Sequence, residues 1–356
     1  MNNNQNLLSE IAKTIVPYQW EKNVGPEVLR FDTNTLPESP PSIKALLKSL
    51  EKDCPINEYG DPSYTKLKKL IARYEGVNEN MITVTNSGDE ALDIIGKAFL
   101  NPGDFFLVQP PTYEMFKLQC KINRGRAVEI PLLKNTYEIN VDTVLKTLKN
   151  KSIKITFVCS PNNPTGSVTS IGTIDNVVKN SSGIVVVDEA YREFWGETCI
   201  PLLKKYSNIV ILRSFSKFGA MAGARIGYLI ASNKLSKIFD AIRFPLGVSY
   251  FSSKLAELLL EQDQEWIKKQ TDLIQKERDR LTKALTKLGL FVYPSQANFL
   301  LIKFDLNAEM ICQELKERNI LVRDRSKKKY LEGCVRITVR NPEQNNTLIK
   351  NLREIL

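Results

Sequence analysis

Residues 209–227 read Ile209-Val-Ile-Leu-Arg213-Ser214-Phe-Ser216-Lys217-Phe-Gly-Ala-Met-Ala-Gly-Ala-Arg225-Ile-Gly227. The opening aliphatic run, rich in β-branched residues, has the pattern of a central strand buried on both faces. Just past its end come two serines, a lysine, an arginine and three glycines. Hydroxyls, a guanidinium and backbone amides suit a phosphate monoester. A lysine set among such anchors is held close to whatever the phosphate carries. Desolvated and beside cations, it has a lowered pKa and becomes a nucleophile for carbonyls. The chain has 50 Lys and Arg residues, so any one lysine is by default a solvated surface group. What separates Lys217 from the others lies upstream.

There, Gly183-Ile-Val-Val-Val187 runs into Asp188-Glu189-Ala190-Tyr191. An apolar strand that ends in a carboxylate places Asp188 at the crevice where α/β sheets bind ligands; a helix N-cap is the plain alternative for this residue alone. Earlier still, Ser160-Pro-Asn-Asn163-Pro-Thr-Gly166 follows another apolar run. Its prolines and glycine make a stiff turn, and its Asn amides offer donors at a strand's end. Strand patterns over 82–85, 105–108, 127–130, 153–159, 184–188, 209–213 and 226–230 alternate with helical stretches such as 89–99 and 141–149. That alternation predicts an α/β fold with a mostly parallel central sheet. From 253 to 288 the pattern is helical and densely charged; strands over 299–303 and 335–340 flank a helix over 308–319. The predicted organisation is an N-terminal arm over 1–45, Pro-rich and extended, a large domain over 46–250 and a smaller α+β domain over 251–356.

Composition narrows the chemistry. The 356 residues contain no histidine, which removes Ser-His-Asp and Cys-His nucleophiles and His-based metal sites in their usual forms. Proton transfer near neutral pH then falls to a tuned Lys, Tyr, Cys or carboxylate, or to a cofactor. Six scattered cysteines without a Cys-x-x-Cys pair read as reduced thiols, and no metal site is expected. The net charge of +10 is spread along the chain. Short clusters such as Lys327-Lys328-Lys329 lack aromatic interleaving, so small anions are favoured over nucleic acid as partners. No apolar run is long enough to span a bilayer and the N-terminus lacks a secretory pattern, so no membrane association and a cytoplasmic address are expected.

In order, the SPNNPTG, DEAY and S-x-S-K-x₇-R-x-G motifs resemble those of fold-type I pyridoxal 5′-phosphate (PLP) enzymes. Within them the chain is similar to class I/II aminotransferases and, most of all, to the histidinol-phosphate aminotransferase family, from Val16-Pro17-Tyr18 to Val335-Arg336-Ile337-Thr338-Val339. The resemblance implies PLP as cofactor, joined to Lys217 as a Schiff base, with Lys217, Asp188 and Tyr191 as catalytic residues. Asp188 would pair with the ring nitrogen, Asn163 and Tyr191 with the ring 3-oxygen, and Tyr113 would stack on the ring. Ser214, Ser216, Arg225 and the Gly88 and Asp89 amides would hold the phosphate. Tyr59 would reach that phosphate from a second subunit, so a homodimer with shared sites is implied, the arm packing on the small domain and the partner subunit.

For the substrate end, the resemblance implies Tyr18, Asn34, Arg323 and Arg336, with Asn298 close by. Strand alternation sets Arg336 opposite the aliphatic face, and a planar guanidinium suits carboxylate and phosphate alike. The implied reaction is transamination between histidinol phosphate and 2-oxoglutarate, giving imidazole acetol phosphate and glutamate in histidine biosynthesis. The chain departs from the family at Asn34-Thr35-Leu36-Pro37, where Thr35 replaces a glutamate, at Asn86-Ser87 in place of Arg-Gly, and at Arg340 in place of Gly. The first departure keeps two alternatives open: an aminotransferase for another phosphorylated or aromatic amine, and a threonine- or serine-phosphate decarboxylase of the same fold. A PLP-sensing regulator would need a DNA-binding module upstream, and the PLP-domain pattern already begins by about residue 50.

Overall fold

The computed structural model of the protein describes residues 7–15, 25–52, 54–304 and 307–356. Twelve strands, β1 (Leu29–Phe31), β2 (Ile82–Thr85), β3 (Phe105–Val108), β4 (Arg126–Glu129), β5 (Ile153–Cys159), β6 (Ile184–Asp188), β7 (Ile209–Ser214), β8 (Gly227–Ile230), β9 (Phe291–Val292), β10 (Phe299–Lys303), β11 (Ile320–Asp324) and β12 (Cys334–Thr338), form two sheets among the described residues. The larger has the order β2-β8-β7-β6-β5-β3-β4. Strands β4, β3, β5, β6 and β7 run parallel, and β8 is antiparallel to both its neighbours. The expected mostly parallel α/β sheet is present.

The sheet is apolar on both faces because helices cover both. Val185, Val186 and Val187 of β6 are fully buried, and each such side chain contributes about 1.5–3 kcal/mol of transfer free energy. That burial offsets the cost of a carboxylate at the strand's tip. Strands β5, β6 and β7 end side by side at Cys159, Asp188 and Ser214, so the motif residues that follow them emerge at one sheet edge, the usual ligand crevice.

Helices α1 (Glu10–Thr14), α2 (Ser42–Lys52), α3 (Thr65–Glu75) and α4 (Ser87–Phe99) are followed by α5 (Glu114–Ile122), α6 (Val141–Asn150), α7 (Ile171–Lys179) and α8 (Asn233–Ile242). Then come α9 (Tyr250–Gln262), α10 (Gln264–Lys287), α11 (Ala308–Glu317) and α12 (Pro342–Ile355). Capping follows the sequence: the Asn140 and Ser170 side chains accept from the Thr143 and Thr173 backbone N–H groups in the first turns of α6 and α7. Asp89 and Glu90 start α4 and Lys97 ends it, matching the helix dipole.

The smaller sheet has the order β1-β11-β12-β10-β9, with β1 added parallel to β11. In α9, Leu255, Leu259 and Leu260 pack in the core of the larger sheet, whereas Ile274, Leu281 and Leu285 of α10 lie in the core of the smaller one. The chain therefore crosses between cores within α10, beyond the expected 250/251 boundary.

Under the β6–β7 edge lies a buried charge cluster. The Arg213 guanidinium donates from Nε to Glu75 Oε1 at 3.0 Å, from Nη2 to Glu193 Oε1 at 2.5 Å and from Nη1 to the Glu189 carbonyl at 3.1 Å. The Tyr228 hydroxyl donates to Glu75 as well. Burial raises the pKa of Glu189 and Glu193, and Arg213 opposes it in both. Removing one partner of such a cluster leaves uncompensated charge. Arg213→Met should therefore lower unfolding stability by about 3–5 kcal/mol, measured by urea denaturation. The deficit should shrink as pH falls from neutral, because protonating Glu189 and Glu193 removes the unpaired charge. An unchanged midpoint at neutral pH would show that the cluster contributes nothing.

Candidate active site

At the C-terminal edge of the larger sheet, facing the smaller one, is a cavity of about 530 Å³. Among the described residues, every site residue named from the sequence lines it except Tyr59, Arg323 and Asn298. Tyr18 lies outside the described residues.

Lys217 lines the cavity, half-buried, and its Nζ donates to the Thr33 carbonyl at 3.3 Å. Burial first, then the charges of Arg336 and Arg225, push its pKa down to about 7. Asp188, at the tip of β6, is held by the Ala190 backbone N–H, which donates to Oδ1 at 2.9 Å. Burial, with Asp89 and Glu189 nearby, lifts its pKa to about 6. A desolvated amine and a desolvated carboxylate thus face one space from adjacent strands, a pattern associated with functional sites.

The wall opposite is built by α4 and α5. The Tyr113 hydroxyl donates to Asp89 Oδ1 at 2.9 Å, and Arg225 Nη2 donates to Ser87 Oγ at 2.7 Å and Asp89 Oδ2 at 2.8 Å. The first turn of α4 therefore meets Ser214, Ser216 and Arg225 around one corner, where backbone N–H groups and the helix dipole favour an anion. This approach depends on Gly227. A Cβ there would sit 2.8 Å from the Arg213 carbonyl oxygen and 3.0 Å from the Ser87 carbonyl carbon, so any larger residue would push α4 off β8. Ser87 adopts φ 70°, left-handed backbone that glycine takes without strain. Its hydroxyl contacts Arg225.

The far side is a hydrogen-bond chain between the two sheets. Arg336 Nη1 donates to Asn163 Oδ1 at 2.7 Å, and Nη2 to the Asp32 carbonyl at 2.5 Å. Because a guanidinium only donates, the Asn163 atom it meets is the oxygen, which leaves that residue's NH₂ as a donor toward the cavity. Asn34 Nδ2 donates to the Tyr191 hydroxyl at 3.0 Å, so Tyr191 keeps its proton to donate. Burial holds the Tyr191 pKa above its ordinary value. Asn34 itself is fixed by Thr338 Oγ1, which accepts from its N–H at 2.9 Å, and by Asn298 Nδ2, which donates to its carbonyl at 3.1 Å.

Tyr59 is 91% exposed and takes no part in the cavity of its own chain. Arg323 pairs with Arg336 across β11 and β12, on the same sheet face, but the guanidinium that lines the cavity there is Arg325. Arg325, Glu114 and the Thr33 carbonyl were not expected from sequence. Arg325 lies two residues past Arg323 and one beyond the end of β11, and that proximity to an expected site arginine is the signal that could have found it.

A half-buried amine, a buried carboxylate, an aromatic wall and an anion corner match the aldehyde, ring nitrogen, ring face and phosphate of PLP. The donor set fits that group. The family model described as aminotransferase class I and II matches residues 26–352. Histidinol-phosphate aminotransferase of Thermoanaerobacter pseudethanolicus is 39% identical over 99% of this chain and 99% of its own length. That of Caldanaerobacter subterraneus is 37% identical, with the same coverages. A crystal structure of histidinol-phosphate aminotransferase from Sinorhizobium meliloti in complex with pyridoxal-5′-phosphate superposes with a TM-score of 0.87, at 24% identity, over 98% of this chain and 97% of that one. A family pattern that runs through nearly the whole chain and relatives matched end to end lead to the same place: this protein belongs to the aminotransferase class I and II family.

Proposed function

We propose that the chain is a PLP-dependent transaminase that exchanges an amino group between histidinol phosphate and 2-oxoglutarate, giving imidazole acetol phosphate and glutamate. The observation that carries the reaction type is the pairing of Lys217 and Asp188 across one cavity. The substrate rests on the full-length similarity to histidinol-phosphate aminotransferases and on the arginines at the cavity's outer end. When bound, PLP supplies the carbonyl that captures the amine and the ring that takes up electrons from the substrate carbon.

The chain's own residues do the rest. Lys217 Nζ, whose pKa burial brings down to about 7, would hold the cofactor. As a free amine it would carry a proton to and from the substrate carbon that bears the nitrogen. Asp188 would hold a proton on the ring nitrogen, its low-dielectric setting strengthening that charge pair. Asn163 and Tyr191 would serve the ring oxygen, and Tyr113 the ring face. Ser214, Ser216, Arg225 and the α4 amides of Gly88 and Asp89 hold the phosphate. Arg336 takes the carboxylate of glutamate, Asn34 fixes Tyr191, and Arg323 and Tyr18 serve the amine's phosphate end. Thr33, Asn34 and Thr35 line this space together with residues of both sheets.

The same reading includes a cytoplasmic homodimer. Among the described residues no helix is long and apolar enough to cross a membrane. Ile56, Tyr59, Phe244 and Leu246 are exposed, and Arg243 ties their two loops together by donating to the Pro62 carbonyl at 2.6 Å. Phe244 also meets Lys97 of α4, the helix that begins at the anion corner. A second copy seated on this apolar patch would bring its Tyr59 toward that corner.

Two measurements test these statements. Histidinol phosphate and glutamate should each bleach the absorption of lysine-bound PLP, with imidazole acetol phosphate or 2-oxoglutarate formed in equal amount. Inertness toward both, with carbon dioxide released from threonine phosphate, would replace the transaminase by a decarboxylase. For the shared site, Lys217→Ala and Tyr59→Ala chains, each impaired alone, should regain activity when unfolded and refolded together. The mixed dimer then holds one intact site; no recovery would place each site within one chain.

A further inference from the structure

Residues 32–35 follow β1 without joining a helix or a sheet, so their carbonyls need partners from elsewhere. Side chains supply them in order. Arg336 donates to the Asp32 carbonyl, Lys217 to that of Thr33 and Asn298 to that of Asn34. The last donor is Arg340, whose Nη1 lies 3.3 Å from the Thr35 carbonyl oxygen. Arg336 and Thr338 of β12 both reach this segment, and Arg340 continues their two-residue alternation past the strand's end. Thr33, Asn34 and Thr35 line the main cavity, and Arg340 stands behind them. Asn34 lies at φ 55°, a left-handed conformation that surrounding contacts must maintain. Arg340 is itself firmly anchored. It is 8% exposed, and its Nε donates to Gln344 Oε1 at 2.8 Å. The Asn345 side chain accepts from its backbone N–H at 3.0 Å and donates to its carbonyl at 2.7 Å. The same Asn345 amide donates to Glu277 of α10 at 2.8 Å. Burial lowers the Arg340 pKa and the Asp32 carboxylate opposes that, but a guanidinium keeps its charge in either case.

We propose that Arg340 is a positioning residue for the reaction: through the Thr35 carbonyl it holds the 32–35 turn so that Asn34 meets Tyr191 and the Thr33 carbonyl meets Lys217. This rests on the transaminase reading and deepens it by extending the machinery to the junction of β12 and α12. The route has two short branches. Asn34 Nδ2 donates to the Tyr191 hydroxyl, which leaves that hydroxyl's own proton for the ring oxygen. The Thr33 carbonyl accepts from Lys217, which fixes one N–H of the amine and with it the direction of the lone pair. Without Arg340 the Thr35 carbonyl loses this donor, and the turn moves toward water to recover a partner.

The test compares Arg340→Gln, Arg340→Lys and Gln344→Met with the wild-type chain, each checked for cofactor content and melting temperature. Amide exchange over residues 31–36 is followed in cofactor-free protein, with α12 as the reference. In the PLP-loaded enzyme, the pH at which lysine-bound PLP changes colour reports Tyr191, whose donation to the ring oxygen favours the unprotonated form. Turnover is measured with histidinol phosphate and 2-oxoglutarate. Arg340→Gln should speed exchange over 31–36 with α12 unchanged, raise the colour midpoint by about half a unit to one unit and lower kcat about tenfold. Arg340→Lys should recover part of each change, and Gln344→Met, which removes the Nε partner, should show a weaker form of all three. Faster exchange over 31–36 and α12 alike, with the colour midpoint unmoved, would reduce Arg340 to a structural support and overturn the proposal. It is equally overturned if nothing changes, or if 31–36 loosens while colour and kcat stay as in wild type. If the wild-type chain holds no PLP on lysine or does not use histidinol phosphate, the transaminase reading fails instead, and exchange decides for Arg340 alone: selective loosening of 31–36 supports its hold on the turn, and no selective change overturns it.

Discussion

Taking a lysine ammonium out of water costs free energy, and at Lys217 the fold imposes that cost beside two further cations. Burial and the fields of Arg336 and Arg225 together bring its pKa to about 7. Asp188 meets the mirror-image constraint, a carboxylate lifted to about 6 mainly by burial. Opposed shifts in two groups that share a cavity divide roles between them. The amine becomes a nucleophile and proton carrier near neutral pH. The carboxylate keeps a charge whose natural partner is a protonated ring nitrogen. The zero count of histidine gives this arrangement its weight, since no imidazole is present to do either task.

Much of the surrounding structure serves to keep those two groups where they are. Strands β6 and β7 carry them at adjacent ends, and the buried Arg213 cluster links β7 to Glu189 and Glu193 just beyond β6. Gly227 allows α4 to lie against β8, which aims the helix's first turn at the corner formed by Ser214, Ser216 and Arg225. From the other sheet, Arg336 reaches Asn163, and Asn34 reaches Tyr191. The cavity closes only because both sheets contribute.

The larger sheet was legible because its strands are short, apolar and β-branched, and β2, β3, β5 and β6 begin and end where periodicity placed them. The inner site was legible for a related reason: Asp188 ends a strand and Lys217 and Asn163 follow shortly after one, so sequence order maps onto one edge of the sheet. Longer-range geometry was hidden. Nothing in Leu29-Arg-Phe31 marks it as a strand that would join β11, a pairing separated by most of the chain. The crossing between cores inside α10 is invisible because the helical pattern continues through it. At the outer end, Arg323 was the arginine expected, but the turn after β11 brings Arg325 to the cavity. Its partner Glu114 lies far away in sequence, where only the packing of the two sheets could bring them together. Thr33 contributes a carbonyl, which no side-chain pattern reveals.

The central claim is that Lys217 is a desolvated amine ready for a carbonyl near neutral pH. The most direct measurement is to load cofactor-free protein with PLP at a series of pH values, trap the adduct with borohydride and map the modified peptide. The account predicts label on Lys217 with an initial rate rising through a midpoint near pH 7, since only the neutral amine reacts and it predominates above that value. Label on other lysines, or a midpoint near the ordinary lysine value of about 10, would contradict it.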